Sequence, residues 1–321
     1  MTERSAAYDA IVTMSLTKKY KQVIALSDLS LRVDAGAIFG FLGPNGAGKT
    51  TTLKLLLGFI SPTSGSAEIF GHQTWRDGVE ARKHVGYLVP ADAFYPEMSG
   101  RSQLDLAARF SGRPPILRRQ LLDLLELAGR DLDRDLRQYS KGMKQKLALV
   151  AAAQHDPRLL VLDEPTDGLD PLVQRRFEQF LREFNGRGRT VFMSSHDLAE
   201  VERLCEAVAI VKEGRMVAQQ SIEQIRRLRF RKVEVTFGGE APAELGLIEH
   251  VELQSMNGRS CVLTVEGDIN PLIDALARWE VTDLTITPPS LDDVFMAFYE
   301  SAAAQTHPSR ERAVASGIEG S

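Results

Sequence analysis

The chain has 321 residues, of which 43% are hydrophobic and 26% are charged, and its formal net charge is -4. This is the composition of a globular protein, and the acidic balance argues against a nucleic-acid binder that relies on bulk positive charge. No apolar run approaches the roughly 18 residues that span a membrane, and the first residues lack the apolar core of a signal peptide. Cys205 and Cys261 form no disulfide or metal-binding pattern. We therefore expect a cytoplasmic protein.

The N-terminal part of the chain predicts the opening of an α/β domain. Residues 11–16 and 23–33 alternate between apolar and polar side chains, which predicts two paired strands. Residues 37–42 form a short apolar run that enters a glycine-rich turn, and residues 50–59 follow with a helical pattern. We therefore expect a buried strand, a turn and a helix in this order.

A helical insertion is predicted between two α/β portions of this domain. Residues 100–138 carry leucines at helical spacing, and Gly129 is interpreted as a helix stop. From residue 159 the chain returns to alternating strand and helix. The prediction is a first domain over residues 9–225, with a helical subdomain at about residues 100–145.

A change of composition near Leu228 predicts a second, smaller domain. Residues 233–237 and 262–266 alternate like strands, and residues 271–279 have the pattern of a helix. Strands and a helix together indicate a small α+β unit.

The end of the chain contains one more helix signal and then a polar tail. A capping box at residues 290–293 precedes an amphipathic helical pattern, which extends the predicted α+β unit over residues 230–301. Residues 302–321 are small and polar, and we expect them to be disordered.

The turn after the predicted buried strand matches the phosphate-binding pattern GxxxxGK[ST]. Its residues are Gly43, Pro44, Asn45, Gly46, Ala47, Gly48, Lys49 and Thr50, followed by Thr51. Glycines let backbone N–H groups point at a phosphate chain, and the N-terminus of the following helix adds positive partial charge. Lys49 is expected to reach the β- and γ-phosphates of ATP, Thr50 to ligate Mg²⁺ and Thr51 to bind the α-phosphate. The flanking strand and helix favour this reading over a chance glycine turn.

Two acidic residues end a second apolar run. Residues 159–162 are apolar, and Asp163 and Glu164 follow them directly. In a doubly wound sheet this places both carboxylates at the carboxyl edge, beside the phosphate loop. Asp163 is expected to hold Mg²⁺ through water, and Glu164 to activate the attacking water. Without the phosphate loop, a solvated acidic turn would be an equally good interpretation.

With these motifs in place, the chain resembles the ATP-binding cassette (ABC) family. Residues 139–145, YSKGMKQ, are similar to the family signature LSGGQ, and the YSKGM variant is similar to that of exporter subunits whose membrane part is a separate polypeptide. The resemblance implies an α/β P-loop cassette. This fold has a mixed core sheet with flanking helices, N-terminal antiparallel strands and a helical insertion, here followed by a small C-terminal α+β appendage. It also implies that Ser140 and the N–H of Gly142 contact a γ-phosphate.

The same resemblance assigns roles to three further residues. Tyr20 stands where the family stacks an aromatic ring on adenine. Asp170 belongs to a segment similar to the loop that crosses the dimer interface. His196 is similar to the switch histidine that contacts the γ-phosphate, and with Lys49 and Glu164 it completes the expected catalytic set.

One position departs from the family pattern. After the predicted strand at residues 85–88, the family places a glutamine or glutamate that touches Mg²⁺ and water, whereas Pro90 aligns here. Proline has no side-chain donor or acceptor. Either Asp92 substitutes or the contact is missing.

The resemblance also implies an assembly and a function. One chain carries one phosphate loop and one signature, and in the family each signature completes the partner's site, so a homodimer with two ATP molecules and Mg²⁺ is implied. The chain is then the ATP-hydrolysing subunit of a transporter, peripheral on the inner face of the membrane. It drives a separate transmembrane permease, in the export direction, and docks through the helical insertion and the loop at residues 89–96.

Two other functions fit part of these observations. A soluble ABC ATPase acting on the ribosome or on DNA is the first, but such relatives carry two cassettes or long coiled coils, and the chain is acidic. A regulatory module that binds nucleotide without turnover is the second, and Glu164 argues against it. No nucleic-acid partner is expected.

Overall fold

A computed structural model describes residues 9–226 and 230–287. The chain divides into two compact units, Met1–Gln220 and Ser221–Ser321. In the described residues, no helix is both long enough and apolar enough to cross a membrane.

The strands and helices alternate in the first unit and follow a strand-rich order in the second. The strands are β1 Asp9–Tyr20, β2 Val23–Asp34, β3 Ile38–Leu42, β4 Ser64–Ile69, β5 His72–Gln73, β6 Val85–Tyr87, β7 Leu159–Asp163, β8 Thr190–Ser195, β9 Ala207–Lys212, β10 Arg215–Ser221, β11 Phe230–Phe237, β12 Val251–Asn257, β13 Ser260–Glu266 and β14 Val281–Thr287. The α-helices are α1 Lys49–Leu56, α2 Gly78–Arg82, α3 Gly100–Ser111, α4 Arg118–Leu124, α5 Gly129–Leu132, α6 Lys141–Ala153, α7 Pro171–Gly186, α8 Leu198–Leu204, α9 Ile222–Arg226 and α10 Asn270–Leu276. Short 3-10 helices cover Ala91–Ala93, Leu136–Gln138 and Ala243–Leu247.

The N-terminal strands form an antiparallel sheet in the order β2-β1-β4-β5. β1 and β2 pair along nearly their whole length, from Asp9 opposite Asp34 to Tyr20 opposite Val23. Their inward side chains alternate with exposed ones, as a sheet with one buried face requires. The two paired strands expected from the sequence are therefore confirmed.

A second sheet, in the order β10-β9-β3-β8-β7-β6, forms the centre of the unit. β3 pairs in parallel with β8 and with β9, and β7 pairs in parallel with β6 and with β8. All residues of β3 and β8 are buried, because helices cover both faces of a parallel sheet. The carboxyl ends of β3, β7 and β8 consequently meet at one edge.

Aromatic side chains fill the core beneath that edge. Phe39 and Phe192 stack with their ring centroids 5.9 Å apart, and Phe41 lies 5.5 Å from Phe192. These rings belong to neighbouring parallel strands and are at most 2% exposed. Close packing of this kind holds the strand ends in a defined register.

The helical segment between β6 and β7 differs in detail from its prediction. Gly129 begins helix α5 and does not end a helix, since α4 already stops at Leu124. The helix after the phosphate loop ends at Leu56, three residues before the predicted end at Phe59. The helix that starts after Ser140 continues to Ala153, well beyond the predicted limit of the helical subdomain at residue 145. Side-chain spacing marked the helical region correctly but not its individual ends.

The second unit contains an antiparallel sheet in the order β12-β13-β11-β14. Val233 and Val235 of β11 lie opposite Leu263 and Cys261 of β13, and all four are buried. These elements agree with the predicted α+β composition.

The division of the chain falls within β10, whereas the prediction placed it between residues 225 and 230. The predicted capping box at residues 290–293, its helix and the predicted tail lie outside the described residues.

Candidate active site

A cavity of about 350 Å³ opens at the carboxyl edge of the parallel sheet. It is lined by residues of β2, of the phosphate-binding turn and of the end of β7. They are Val23, Ile24, Ala25, Pro44, Asn45, Gly46, Gly48, Lys49, Thr50, Thr51, Asp163 and Glu164. The structure thus brings the predicted phosphate loop and both predicted acids to one place.

The turn between β3 and α1 depends on glycine at two positions. Gly46 and Gly48 have φ angles of 83° and 103°, a region that side chains with a Cβ rarely adopt. A Cβ on Gly48 would also lie 2.8 Å from the carbonyl oxygen of Ala25. Only glycine therefore lets the turn close and direct α1 at the cavity.

Lys49 begins α1 and is 7% exposed. Its Nζ donates to the carbonyl oxygen of Gly43 at 2.6 Å and lies 3.1 Å from Oε1 of Glu164. Backbone and carboxylate together fix the position of the ammonium group. Lys49 presents a positive charge that is already held in place at the cavity wall.

Asp163 is held from two sides. Thr50 donates from Oγ1 to Oδ2 of Asp163 at 3.2 Å, and the hydroxyl of Ser194 at the end of β8 donates to Oδ1. Burial, followed by the negative charge of Asp163, raises the pKa of Tyr87 to about 12. In the described residues, no group of three or more histidine, cysteine or acidic side chains has the arrangement of a metal cage.

The donor set around Asp163 fits Mg²⁺. This ion prefers oxygen ligands and keeps several waters, so one hydroxyl and one carboxylate beside a phosphate loop suffice. The hydroxyl of Thr50 and the carboxylate of Asp163 supply these two groups within hydrogen-bonding distance of each other.

Glu164 has a strained backbone and three partners for its carboxylate. Its φ is 47°, which is uncommon for a residue with a side chain. Oε2 contacts Nδ1 of His196 at 2.7 Å and accepts from the N–H of His196 at 3.3 Å, while Oε1 faces Lys49. The carboxylate is therefore oriented between a cation and an imidazole.

Several predicted site residues do not line the cavity. Tyr20 is 44% exposed and does not line the cavity; Lys18 lies over its ring at 5.1 Å. The wall that the sequence analysis missed consists of Val23, Ile24 and Ala25, and nothing in its sequence pattern separates it from an ordinary strand. Gly43 and Ala47 shape the turn without lining the cavity.

The signature residues do not line this cavity either. Ser140 is exposed and caps α6 by accepting from the N–H of Met143 at 3.2 Å. Asp170 caps α7 in the same way by accepting from the N–H of Val173, and this bond lowers the pKa of Asp170. Neither Ser140, Gly142 nor Asp170 lines the cavity of the same chain.

A short 3-10 helix follows the position that departs from the family pattern. Pro90 precedes the 3-10 helix Ala91–Ala93, and Asp92 within it is exposed. Neither residue lines the cavity.

Comparison with known proteins adds to this geometry. Residues 26–167 match the family model described as ABC transporter. The chain is 32% identical over 297 residues to the bacitracin transport ATP-binding protein BcrA of Bacillus licheniformis, which covers 89% of this chain and 96% of BcrA. It is 34% identical over 284 residues to the Nod factor export ATP-binding protein I of Burkholderia pseudomallei, covering 87% of this chain and 93% of that relative. A solved ATP-binding subunit of an ABC transporter is 32% identical, with a TM-score of 0.63 over 68% of this chain and 92% of the other.

Proposed function

The chain belongs to the ABC transporter family as an ATP-binding, ATP-hydrolysing subunit, and on this premise we propose that two copies sandwich two ATP molecules and drive export through a separate permease. The observation that supports the composite site is that the signature residues do not line the cavity. Lys49, Thr50, Asp163 and Glu164 surround one cavity, whereas Ser140 and Gly142 lie outside it. A second copy is then the source of the signature that closes each site.

The roles of the residues follow from their surroundings. Backbone N–H groups of the turn that contains Gly46 and Gly48 bind the phosphates, and Lys49 neutralises the γ-phosphate. Thr50 and Asp163 hold Mg²⁺, which neutralises charge on the phosphate oxygens when bound. The apolar wall of β2 receives the base, with Tyr20 at the end of the neighbouring strand β1.

Glu164 activates water in the proposed reaction. Its carboxylate accepts the proton as the water oxygen bonds to the γ-phosphorus, and the bond from that phosphorus to the ADP oxygen breaks. His196 holds Oε2 of Glu164 and senses the γ-phosphate. The partner's Ser140 and Gly142 bind the same phosphate, so its removal releases the contact between the copies.

Export and the permease partner rest on the relatives. One relative is named for Nod factor export and another for bacitracin transport, and the signature variant YSKGM accords with them. The permease is a membrane-spanning protein that docks on the helical segment and on residues 89–96, which places this subunit at the inner membrane face. Asp170 lies at the contact between the two copies.

Steady-state ATP hydrolysis by purified variants tests the site assignment. Lys49→Ala should weaken ATP binding, and Glu164→Gln should stop turnover while binding persists. Lys54→Ala is the matched control, because Lys54 is exposed on the same helix and does not line the cavity. Near-wild-type turnover by Glu164→Gln would refute the role of Glu164.

A further inference from the structure

The peptide that carries Glu164 is held in a conformation that its own sequence disfavours. Glu164 has a φ of 47°, and it precedes Pro165, whose ring restricts the preceding residue to extended conformations. Such a backbone persists only where the surrounding structure determines it. The groups that hold this peptide therefore also determine where the Glu164 carboxylate lies.

Two glutamine side chains bind carbonyl oxygens of this turn from two different helices. Gln145 on α6 donates from Nε2 to the carbonyl oxygen of Pro165 at 3.0 Å, with a longer contact of 3.5 Å to that of Glu164. Gln174 on α7 donates to the carbonyl oxygen of Thr166 at 3.1 Å. These two amides add to the N–H of Glu164, which donates to the carbonyl and hydroxyl oxygens of Ser194 on β8 at 3.2 Å each.

Gln145 has no substitute among these donors. The carbonyl of Glu164 also accepts from the N–H of Asp167 at 3.2 Å, and that of Thr166 accepts from the N–H of Leu169 at 3.1 Å. Pro165 is buried, and in the described residues its carbonyl accepts from Gln145 alone. Loss of the Gln145 amide would leave this carbonyl without a partner, which is costly in a buried place.

The N-terminus of α6 lies against the same turn. A Cβ on Gly142 would be 3.0 Å from the carbonyl oxygen of Gly168, and Lys141 pairs with Asp167 at 2.8 Å. Lys141 and Asp167 are largely exposed, so their ion pair adds little stability by itself. The close approach of Gly142 shows that helix and turn pack directly.

From these contacts we propose that Gln145 is a positioning residue for hydrolysis. It holds the Glu164–Pro165 peptide, and through it the Glu164 carboxylate, against the helix that begins after Ser140. This inference rests on the proposed role of Glu164 in activating water. A shift of α6 when Ser140 engages the partner's nucleotide would then be transmitted to Glu164 of the same chain.

The test uses the full chain with substitutions that separate the donor from the shape of the side chain. Gln145→Met keeps a similar length but donates no hydrogen bond, whereas Gln145→Lys keeps a donor. Gln179→Met is the matched control, because Gln179 is exposed on α7 and its side-chain amide donates to Glu183 at 3.0 Å. Each variant is measured for kcat, for ATP affinity without Mg²⁺ and for thermal stability.

We expect Gln145→Met to lower kcat about five- to tenfold, as the loss of one hydrogen bond does, with ATP affinity within about twofold of wild type. Gln145→Lys should recover at least about half of kcat, and Gln179→Met should match the wild type. If Gln145→Met does not fold, Gln145→Asn replaces it, since its amide is one methylene too short to reach Pro165.

To distinguish a positioning role from a merely structural one, Gln145→Met is repeated in the Glu164→Gln background. Hydrolysis of labelled ATP is then measured in a single turnover. A residue that acts through Glu164 should change the residual rate by less than about twofold there. Equal losses in both backgrounds, or a wild-type kcat in folded Gln145→Met, would overturn the proposal. Substantial turnover by Glu164→Gln itself would instead overturn the role of Glu164.

Discussion

The ion pair between Lys49 and Glu164 predicts how the charge of Glu164 affects ATP affinity. Nζ of Lys49 lies 3.1 Å from Oε1 of Glu164, and Lys49 is buried. A γ-phosphate that binds Lys49 must compete with this carboxylate and must also approach its negative charge. Glu164→Gln removes the charge and keeps the shape of the side chain, so it should tighten ATP binding.

The magnitude follows from the two kinds of hydrogen bond. A hydrogen bond that involves a charged group contributes about 1.5–3 kcal/mol net; the bond between ammonium and carboxylate lies toward the upper end of this range, and the bond from the same ammonium to the uncharged glutamine oxygen lies toward the lower end. The difference of about 1–1.5 kcal/mol corresponds to roughly a five- to tenfold gain in ATP affinity. Because Glu164 is partly exposed, solvent screening places the expected gain toward the lower end.

Isothermal titration of ATP in the presence of a metal chelator measures this effect without hydrolysis. Glu249→Gln changes the net charge equally at an exposed position of the second unit and serves as the control. An affinity of Glu164→Gln equal to or weaker than that of the wild type would show that the Lys49–Glu164 pair does not compete with phosphate.

Three other predictions concern the rest of the chain. Burial raises the pKa of Glu200 above its usual range, so the wild type loses stability as the pH rises through that pKa. Glu200→Gln should therefore have a Tm about 2 °C or more above that of the wild type at pH 8, and a smaller advantage at pH 5. Calorimetry at the two pH values measures both differences. Asp92→Asn should change kcat by less than about twofold, because Asp92 is exposed and outside the cavity; a tenfold loss would show that it replaces the missing family glutamine. Deletion of residues 230–321 should leave a folded chain that binds ATP, because the cavity residues all lie in the first unit, and an insoluble or non-binding product would contradict this division.

The parts of the fold predicted from the sequence are those set by local pattern. Alternation along β1 and β2 identified a pair of strands with one buried face. The apolar runs before Gly43 and before Asp163 identified parallel strands, and the carboxyl ends of parallel strands meet at one edge. That rule was enough to predict that Lys49, Thr50, Asp163 and Glu164 meet.

The parts that the sequence did not reveal depend on contacts between distant segments. Ser194 lies 31 residues from Asp163, and its hydroxyl resembles any other serine in a strand. The role of Gln145 depends on the turn after Glu164, whose left-handed backbone follows from tertiary contacts and not from propensity. Gly129 was misassigned for a local reason. Glycine occurs at both ends of helices, and its position in the sequence alone does not show whether a helix ends or begins there.

The central claim is that the signature of one copy completes the ATP site of another, and the mass of the chain in solution tests it most directly. Glu164→Gln with ATP, analysed by size-exclusion chromatography with light scattering, should show about twice the chain mass of 35.5 kDa. The additional change Ser140→Arg should return the mass to that of one chain, because its bulk and charge block the contact with the partner's nucleotide. A single-chain mass for Glu164→Gln at saturating ATP, or a dimer that persists with Ser140→Arg, would contradict the composite site.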